Sequence, residues 1–218
     1  MYKLVVFDLD GTLADTLADL AAAVNHALSL RGLPVHSTEA YRYFVGNGAD
    51  NLMARALGDN FTPELARQLK EDFSAYYGEH SLDATADYPG AADLLDRLSA
   101  DGIMTAVISN KPDAFVPRIM SALYPDHSFT RLSGQRSGIP RKPDPTSLVM
   151  LMDDLGVSAA DTLYVGDSDV DVAFGHGAGV KVCGVSWGFR GVEELRASGA
   201  DMIADTAAQL QDIIYEYD

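Results

Sequence analysis

The chain has 218 residues, 47% hydrophobic and 22% charged, with 32 acidic against 16 basic side chains and a formal net charge of −16. This composition belongs to a folded globular chain large enough for a sizeable core, and it excludes a disordered or fibrous one. A single cysteine, Cys183, rules out a disulfide framework within the chain, and the acidic excess argues against nucleic acid as a partner, because phosphate backbones demand lysine and arginine.

The first apolar run, Leu4-Val5-Val6-Phe7, is too short for a helix and is β-branched and aromatic, so it reads as a buried strand. It meets Asp8 and Asp10 at once instead of continuing to a cleavage site. No stretch approaches the ~18 uninterrupted apolar residues of a membrane helix, and a soluble, cytoplasmic protein with no membrane partner is expected. From about residue 15 to about residue 85 there is no convincing strand. Leu17, Leu20, Ala21, Val24 and Leu28 form one helical face, ended by Gly32 and Pro34. A second helix is expected after Ser37-Thr38 and a third over Leu52 to Leu57. A fourth starts at Thr62-Pro63-Glu64, with proline in its first turn. Pro89-Gly90 marks the return from this helical insertion, and Ala91, Leu94, Leu95 and Leu98 give the next helical spacing.

Strand-like runs then follow at Met104–Ile108, more weakly at Phe129–Leu132, then at Thr162–Val165, Val180–Val185 and Met202-Ile203. A helix carried by Leu148, Leu151, Met152 and Leu155 stops at Gly156. The alternation predicts an α/β protein with a parallel sheet covered on both faces. Residues 1–14 and 86–218 form the expected core, and residues 15–85 form an inserted helical subdomain.

Open parallel sheets bind ligands beyond the carboxyl ends of their strands. Asp8 and Asp10 fall there, one residue apart, so an extended backbone puts both side chains on one side; helix-capping aspartates are the plainer alternative. Another buried run ends in Gly166-Asp167-Ser168-Asp169-Val170-Asp171. If the two strands are neighbours, these carboxylates repel one another unless a cation lies between them, and a hard divalent ion such as Mg2+ suits oxygen ligands. Ser109 and Asn110 close a third run and can both donate to an anion, although ordinary turn chemistry explains them equally well. Lys142, stiffened between Arg141 and Pro143-Asp144-Pro145, offers a fixed charge for a phosphate or is a plain exposed loop lysine.

Taken in order, these pieces resemble the haloacid dehalogenase superfamily of phosphohydrolases. Its motifs are Asp-x-Asp-x-Thr, then Ser/Thr, then Lys, then Gly-Asp-x-x-x-Asp, matched here by Asp8–Thr12, Ser109, Lys142 and Gly166–Asp171. Val45-Gly46-Asn47-Gly48-Ala49, Ser109-Asn110-Lys111-Pro112 and Trp187-Gly188-Phe189-Arg190-Gly191 are similar to its phosphoglycolate phosphatase branch. The resemblance implies a Rossmann-like doubly wound parallel sheet core with an inserted α-helical cap subdomain. It also implies a Mg2+-dependent phosphatase acting on a small phosphorylated metabolite, with 2-phosphoglycolate the leading candidate. Asp8 is then the nucleophile that forms an aspartyl-phosphate, and Asp10 the general acid and base. Asp8, the backbone carbonyl of Asp10 and Asp167 are the implied metal ligands, with Asp171 orienting metal waters or Lys142. Ser109, Lys142 and the amide groups near Asn110 bind the phosphoryl oxygens.

Arg42, Asn47 and Arg55 are candidate readers of the leaving group, with a solvated helix face as the rival reading. A sugar phosphomutase like β-phosphoglucomutase, or a pyrophosphatase, is the alternative within the superfamily, and a receiver-like phospho-switched binding module the alternative outside it. A monomer or a dimer is compatible with the sequence. Tyr164, Trp187 and Cys183 read as packing residues. Gly175 and Gly177 depart from the alanine-rich packing usual in the family and are expected to weaken their helix by roughly 1 kcal/mol each.

Overall fold

The computed structural model describes residues 1–216. In chain order, β1 (Leu4–Phe7) is followed by the two-residue strand β2 (Ala14–Asp15) and four helices: α1 (Leu17–Leu30), α2 (Tyr41–Phe44), α3 (Ala49–Leu57) and α4 (Pro63–His80). A second two-residue strand, β3 (Ala86–Asp87), pairs antiparallel with β2. Next come α5 (Ala91–Ala100), β4 (Met104–Pro112), α6 (Phe115–Leu123), β5 (Arg131–Gln135) and α7 (Thr146–Leu155). The chain continues through β6 (Thr162–Gly166), α8 (Asp169–Gly177), β7 (Lys181–Val185), α9 (Val192–Ala197), β8 (Met202–Ala204) and α10 (Ala207–Tyr215).

Six strands form one parallel sheet in the order β5-β4-β1-β6-β7-β8. All four residues of β1 are fully buried because both faces are covered. Val5 and Phe7 face α5, α6 and α10 through Leu95, Ile119 and Ile214. Leu4 and Val6 face α7, α8 and α9 through Leu148, Phe174 and Leu195. Each such side chain contributes about 1.5–3 kcal/mol by leaving water. The centre of the sheet, β4-β1-β6, therefore brings the carboxyl ends of three apolar runs side by side.

Helices α1 to α4 pack around their own cluster of Leu20, Val24, Met53, Leu69 and Phe73. Asp19, buried in the first turn of α1, fastens the exit of this insertion to its entrance. Its carboxylate accepts from the N–H of Ala84 (3.0 Å) and from both the N–H and the hydroxyl of Thr85 (2.8 Å each).

Two expectations change. The weak strand expected at Phe129–Leu132 lies instead at Arg131–Gln135, on the sheet edge, where half-exposed polar residues hide the pattern. Phe129 packs against the core just before it, edge-on to Tyr124. Gly175 is not a weak point of α8. A Cβ there would stand 2.3 Å from Val182 Cγ2, so the missing side chain is what lets α8 press onto β7. Gly177 likewise lies against Pro145.

Candidate active site

At the tips of β1 and β6, one carboxylate oxygen from each of Asp8, Asp167 and Asp171 lies within 4.8 Å of the others, and all three residues are buried. Gly11 and Gly188 make room for this. A Cβ on Gly11, which has φ +87°, would fall 2.3 Å from Asp167 Oδ2, and a Cβ on Gly188 would fall 2.3 Å from Asp167 Cβ and 2.5 Å from the Gly11 carbonyl. Both positions therefore require glycine. Asp167 Oδ2 accepts from the Phe189 N–H at 2.6 Å, which orients the carboxylate.

Lys142 enters the cluster fully buried. Its Nζ donates to Asp171 Oδ1 (2.8 Å) and to the Tyr164 hydroxyl (2.9 Å), which in turn donates to Asp171 Oδ1 at 3.0 Å. The other Asp171 oxygen accepts from the Ser168 hydroxyl (2.6 Å) and N–H (3.2 Å), so Asp171 is saturated by protein donors. Lys142 also pairs with Asp8 Oδ1 at 2.9 Å, off hydrogen-bond alignment, and that buried oxygen has no hydrogen-bond partner. Three buried carboxylates around one buried lysine leave an excess of negative charge, which costs stability unless a further cation meets it.

The electrostatics agree. Burial above all raises the Asp8 carboxyl, to about 7, against the pull of Lys142. Burial, then repulsion from Asp171 and Asp8, holds Asp167 well above the carboxylate range. The same two neighbours, Asp171 and Asp8, hold the Lys142 ammonium well above the lysine range despite its burial. Asp8 and Asp167, crowded with Asp171 around a single lysine, suit a divalent cation with oxygen ligands.

Asp10 lies beside this cluster. Its Oδ1 accepts from Thr16 Oγ1 (2.5 Å) and from Lys111 Nζ (2.8 Å). Asp8, Asp10, Ser109, Asn110 and Lys111 form the polar floor of a cavity of about 40 Å³ whose roof is apolar, made by Leu20, Val45, Leu52, Phe73 and Tyr77 of the helical insertion. Asp8, Asp10, Ser109, Lys142, Asp167 and Asp171 thus converge.

Four expected roles meet other arrangements. The Asn110 side chain is not free to hold an anion. Its amide donates to the carbonyls of Gly46 (2.9 Å) and Lys142 (3.0 Å), and its oxygen accepts from the Lys142 N–H (2.9 Å). Arg42, Asn47 and Arg55 do not line the cavity. Arg42 pairs with Glu39 and reaches the carbonyls of Gly188 and Phe189, and Arg55 bonds the Phe44 carbonyl and the Asn47 side chain. Their charges serve backbone carbonyls within the insertion and at its seam with the sheet.

The seam has a regular core. Three consecutive carbonyls, Val45, Gly46 and Asn47, accept from Arg190 (3.2 Å), Asn110 (2.9 Å) and Arg141 (3.2 Å) respectively, all side chains from the sheet domain.

Three contributors escaped sequence reading: Lys111, Gly188 and the Tyr164 hydroxyl. Lys111 had a signal, since a lysine that directly extends a buried strand is seldom left unpaired. Tyr164 packs against Phe174 as a core ring, and only its distal hydroxyl joins the site. Cys183 is buried as expected, its thiol pushed up to about 12 by burial. Trp187 is partly buried and donates to the Thr12 carbonyl at 3.1 Å.

A strand-end aspartate pair, a buried lysine and a second acidic strand end under a helical roof define a phosphohydrolase of the haloacid dehalogenase type. The chain belongs to that family: residues 5–185 match the family model for haloacid dehalogenase-like hydrolase. It is 37% identical to the phosphoglycolate phosphatase of Haemophilus influenzae and 37% identical to that of Mannheimia succiniciproducens, with 98% of each chain covered in both comparisons. Among solved structures, it superposes with a TM-score of 0.91 on a predicted phosphoglycolate phosphatase from Haemophilus somnus, at 35% identity and 97% coverage of both chains. It superposes with a TM-score of 0.79 on CbbY from Rhodobacter sphaeroides in complex with phosphate, at 25% identity and 96% coverage of both chains. The chain is a phosphatase of this family with a small phosphorylated substrate, and the family works with a divalent metal. Among the described residues no helix is long and apolar enough to cross a membrane.

Proposed function

We propose that the chain hydrolyses 2-phosphoglycolate, using Mg2+ and a phosphoryl transfer to Asp8. The observation that supports this is the buried Asp8 carboxylate, ion-paired to Lys142 at 2.9 Å and clustered with Asp167 and Asp171 within 4.8 Å. Asp8 and Asp167, with the Asp10 carbonyl, would hold the ion. When bound, it offsets the repulsion between the Asp8 carboxylate and an incoming phosphate.

Asp8 attacks phosphorus as a carboxylate held in line. Asp10, oriented by Thr16 and Lys111, gives a proton to the departing ester oxygen and then takes one from the water that cleaves the aspartyl-phosphate. Ser109 and Lys142 bind the equatorial phosphoryl oxygens, where negative charge spreads in the transition state. Asp171 and Tyr164 position the Lys142 ammonium. Residues 15–85 act as a cap whose apolar underside keeps bulk water away from the reaction. No lysine, arginine or histidine of this cap lines the cavity among the described residues, which disfavours a mutase that must grip a hexose.

A phosphate-release panel of metabolites, with and without Mg2+, tests the reading. Release from 2-phosphoglycolate with Mg2+ is expected, with Asp8→Asn inactive yet folded. Asp8→Asn turnover within about tenfold of wild type would overturn the nucleophile.

A further inference from the structure

Lys111 is the one cation that lines the cavity among the described residues. Its side chain is 2% exposed, and its Nζ lies 2.8 Å from Asp10 Oδ1 and 4.7 Å from the centroid of the Tyr77 ring. An ammonium has three donors, and Asp10 uses one. Tyr77 lines the same cavity, and its buried hydroxyl lies beside the Lys111 ammonium with no other hydrogen-bond partner. The surrounding wall is apolar, from Leu20, Val45, Phe73 and Phe115. A desolvated cation and an adjacent hydroxyl within such a wall favour a small anion.

Position narrows the anion further. Asp10 is the group that protonates the ester oxygen, so a cation bonded to Asp10 stands next to the leaving group. A carboxylate attached to the carbon that bears the ester oxygen is only two bonds away from that oxygen, and it reaches this cation without stretching.

We propose that Lys111, together with the Tyr77 hydroxyl, forms a subsite for a carboxylate on the carbon that carries the phosphoryl group, so that the enzyme selects 2-phosphorylated hydroxy acids over neutral phosphate esters. The proposal rests on the phosphatase reading of the same site and assigns the residues that give it selectivity. A neutral ester offers the buried Lys111 ammonium and the Tyr77 hydroxyl no acceptor for their remaining donors, and that is what disfavours it.

The test compares kcat/KM for 2-phosphoglycolate with that for ethyl phosphate, in which a methyl group replaces the carboxylate. Wild type, Lys111→Met and Tyr77→Phe are assayed by phosphate release with Mg2+. Wild type should favour 2-phosphoglycolate by on the order of 100-fold. Lys111→Met should collapse the preference to within about threefold of unity, and Tyr77→Phe should lower it about three- to tenfold. The quantity read is the ratio, because loss of Lys111 also disturbs Asp10 and slows both substrates. A wild-type ratio near unity overturns the subsite regardless of how either variant folds. An unchanged ratio in the variants, with both substrates slowed alike, also overturns it and reduces Lys111 to a support for Asp10. Release from ethyl phosphate without preference sinks only the subsite, whereas release from neither substrate sinks the phosphatase reading with it.

Discussion

Replacing Gly175 by alanine sets two effects against each other. In an isolated helix the change stabilises by about 1 kcal/mol. In this fold the new Cβ would stand 2.3 Å from Val182 Cγ2 and 3.3 Å from Tyr164 Cβ. Val182 is fully buried in β7 and β-branched, so its methyl cannot turn aside without leaving a favoured rotamer. Overpacking of this kind costs about 1–3 kcal/mol, and so short a contact belongs at the upper end. The net loss is about 2 kcal/mol, which for a chain of this length lowers Tm by about 4–8 °C. Thermal melts followed by circular dichroism measure it directly. Val182→Ala removes the obstructing methyl, so Gly175→Ala should cost less in that background, with a coupling of about 1–2 kcal/mol. A Gly175→Ala Tm equal to or above that of wild type would show that helix propensity outweighs the close approach of α8 to the sheet, and the reasoning would fail.

Gly188→Ala drives a Cβ into Asp167 and the Gly11 carbonyl, so turnover should drop by about 100-fold or more as the carboxylate is displaced; steady-state rates within about threefold of wild type would refute the cradle. Asp19→Ala strips three donors at Ala84 and Thr85 of their acceptor and should cost about 2–4 kcal/mol in equilibrium urea unfolding; a loss below about 0.5 kcal/mol contradicts the clasp. For pH, the folded Asp8 and Asp167 keep protons that the unfolded chain releases above about pH 4. The metal-free fold therefore loses stability as pH rises from there toward the raised Asp8 value of about 7. Melts without metal should fall more steeply over this window in wild type than in Asp167→Asn, and added Mg2+ should raise the wild-type Tm most at the alkaline end. Equal slopes without metal would count against mutual crowding of the two carboxyls.

The sheet was legible wherever burial on both faces forces an unbroken apolar run, as in Leu4–Phe7 and Thr162–Val165. It was not legible at β5, where an edge strand tolerates arginine, serine and glutamine, nor at β2 and β3, which are too short to carry any periodicity. The convergence of Asp8 and Asp167 could be read because strand ends meet at one rim of a parallel sheet, whereas Lys142, on a loop between β5 and α7, was placed there only by the family resemblance. Asn110 could not, since a primary amide at a strand end serves an anion or a neighbouring loop equally well, and only the placement of Gly46 and Lys142 decides. Arg42 and Arg55 look like ligand readers by charge alone, and the backbone carbonyls that take their donors have no signature in the sequence.

The grip of Arg190, Asn110 and Arg141 on residues 45–47 falls on main-chain oxygens that every amino acid possesses. The seam therefore depends on the path of that loop and not on its side chains. Val45, which overhangs the cavity, can be exchanged for other residues without loosening the clasp. The apolar surface that faces the cavity is thus free to vary while the seam that holds the helical insertion against the sheet stays the same.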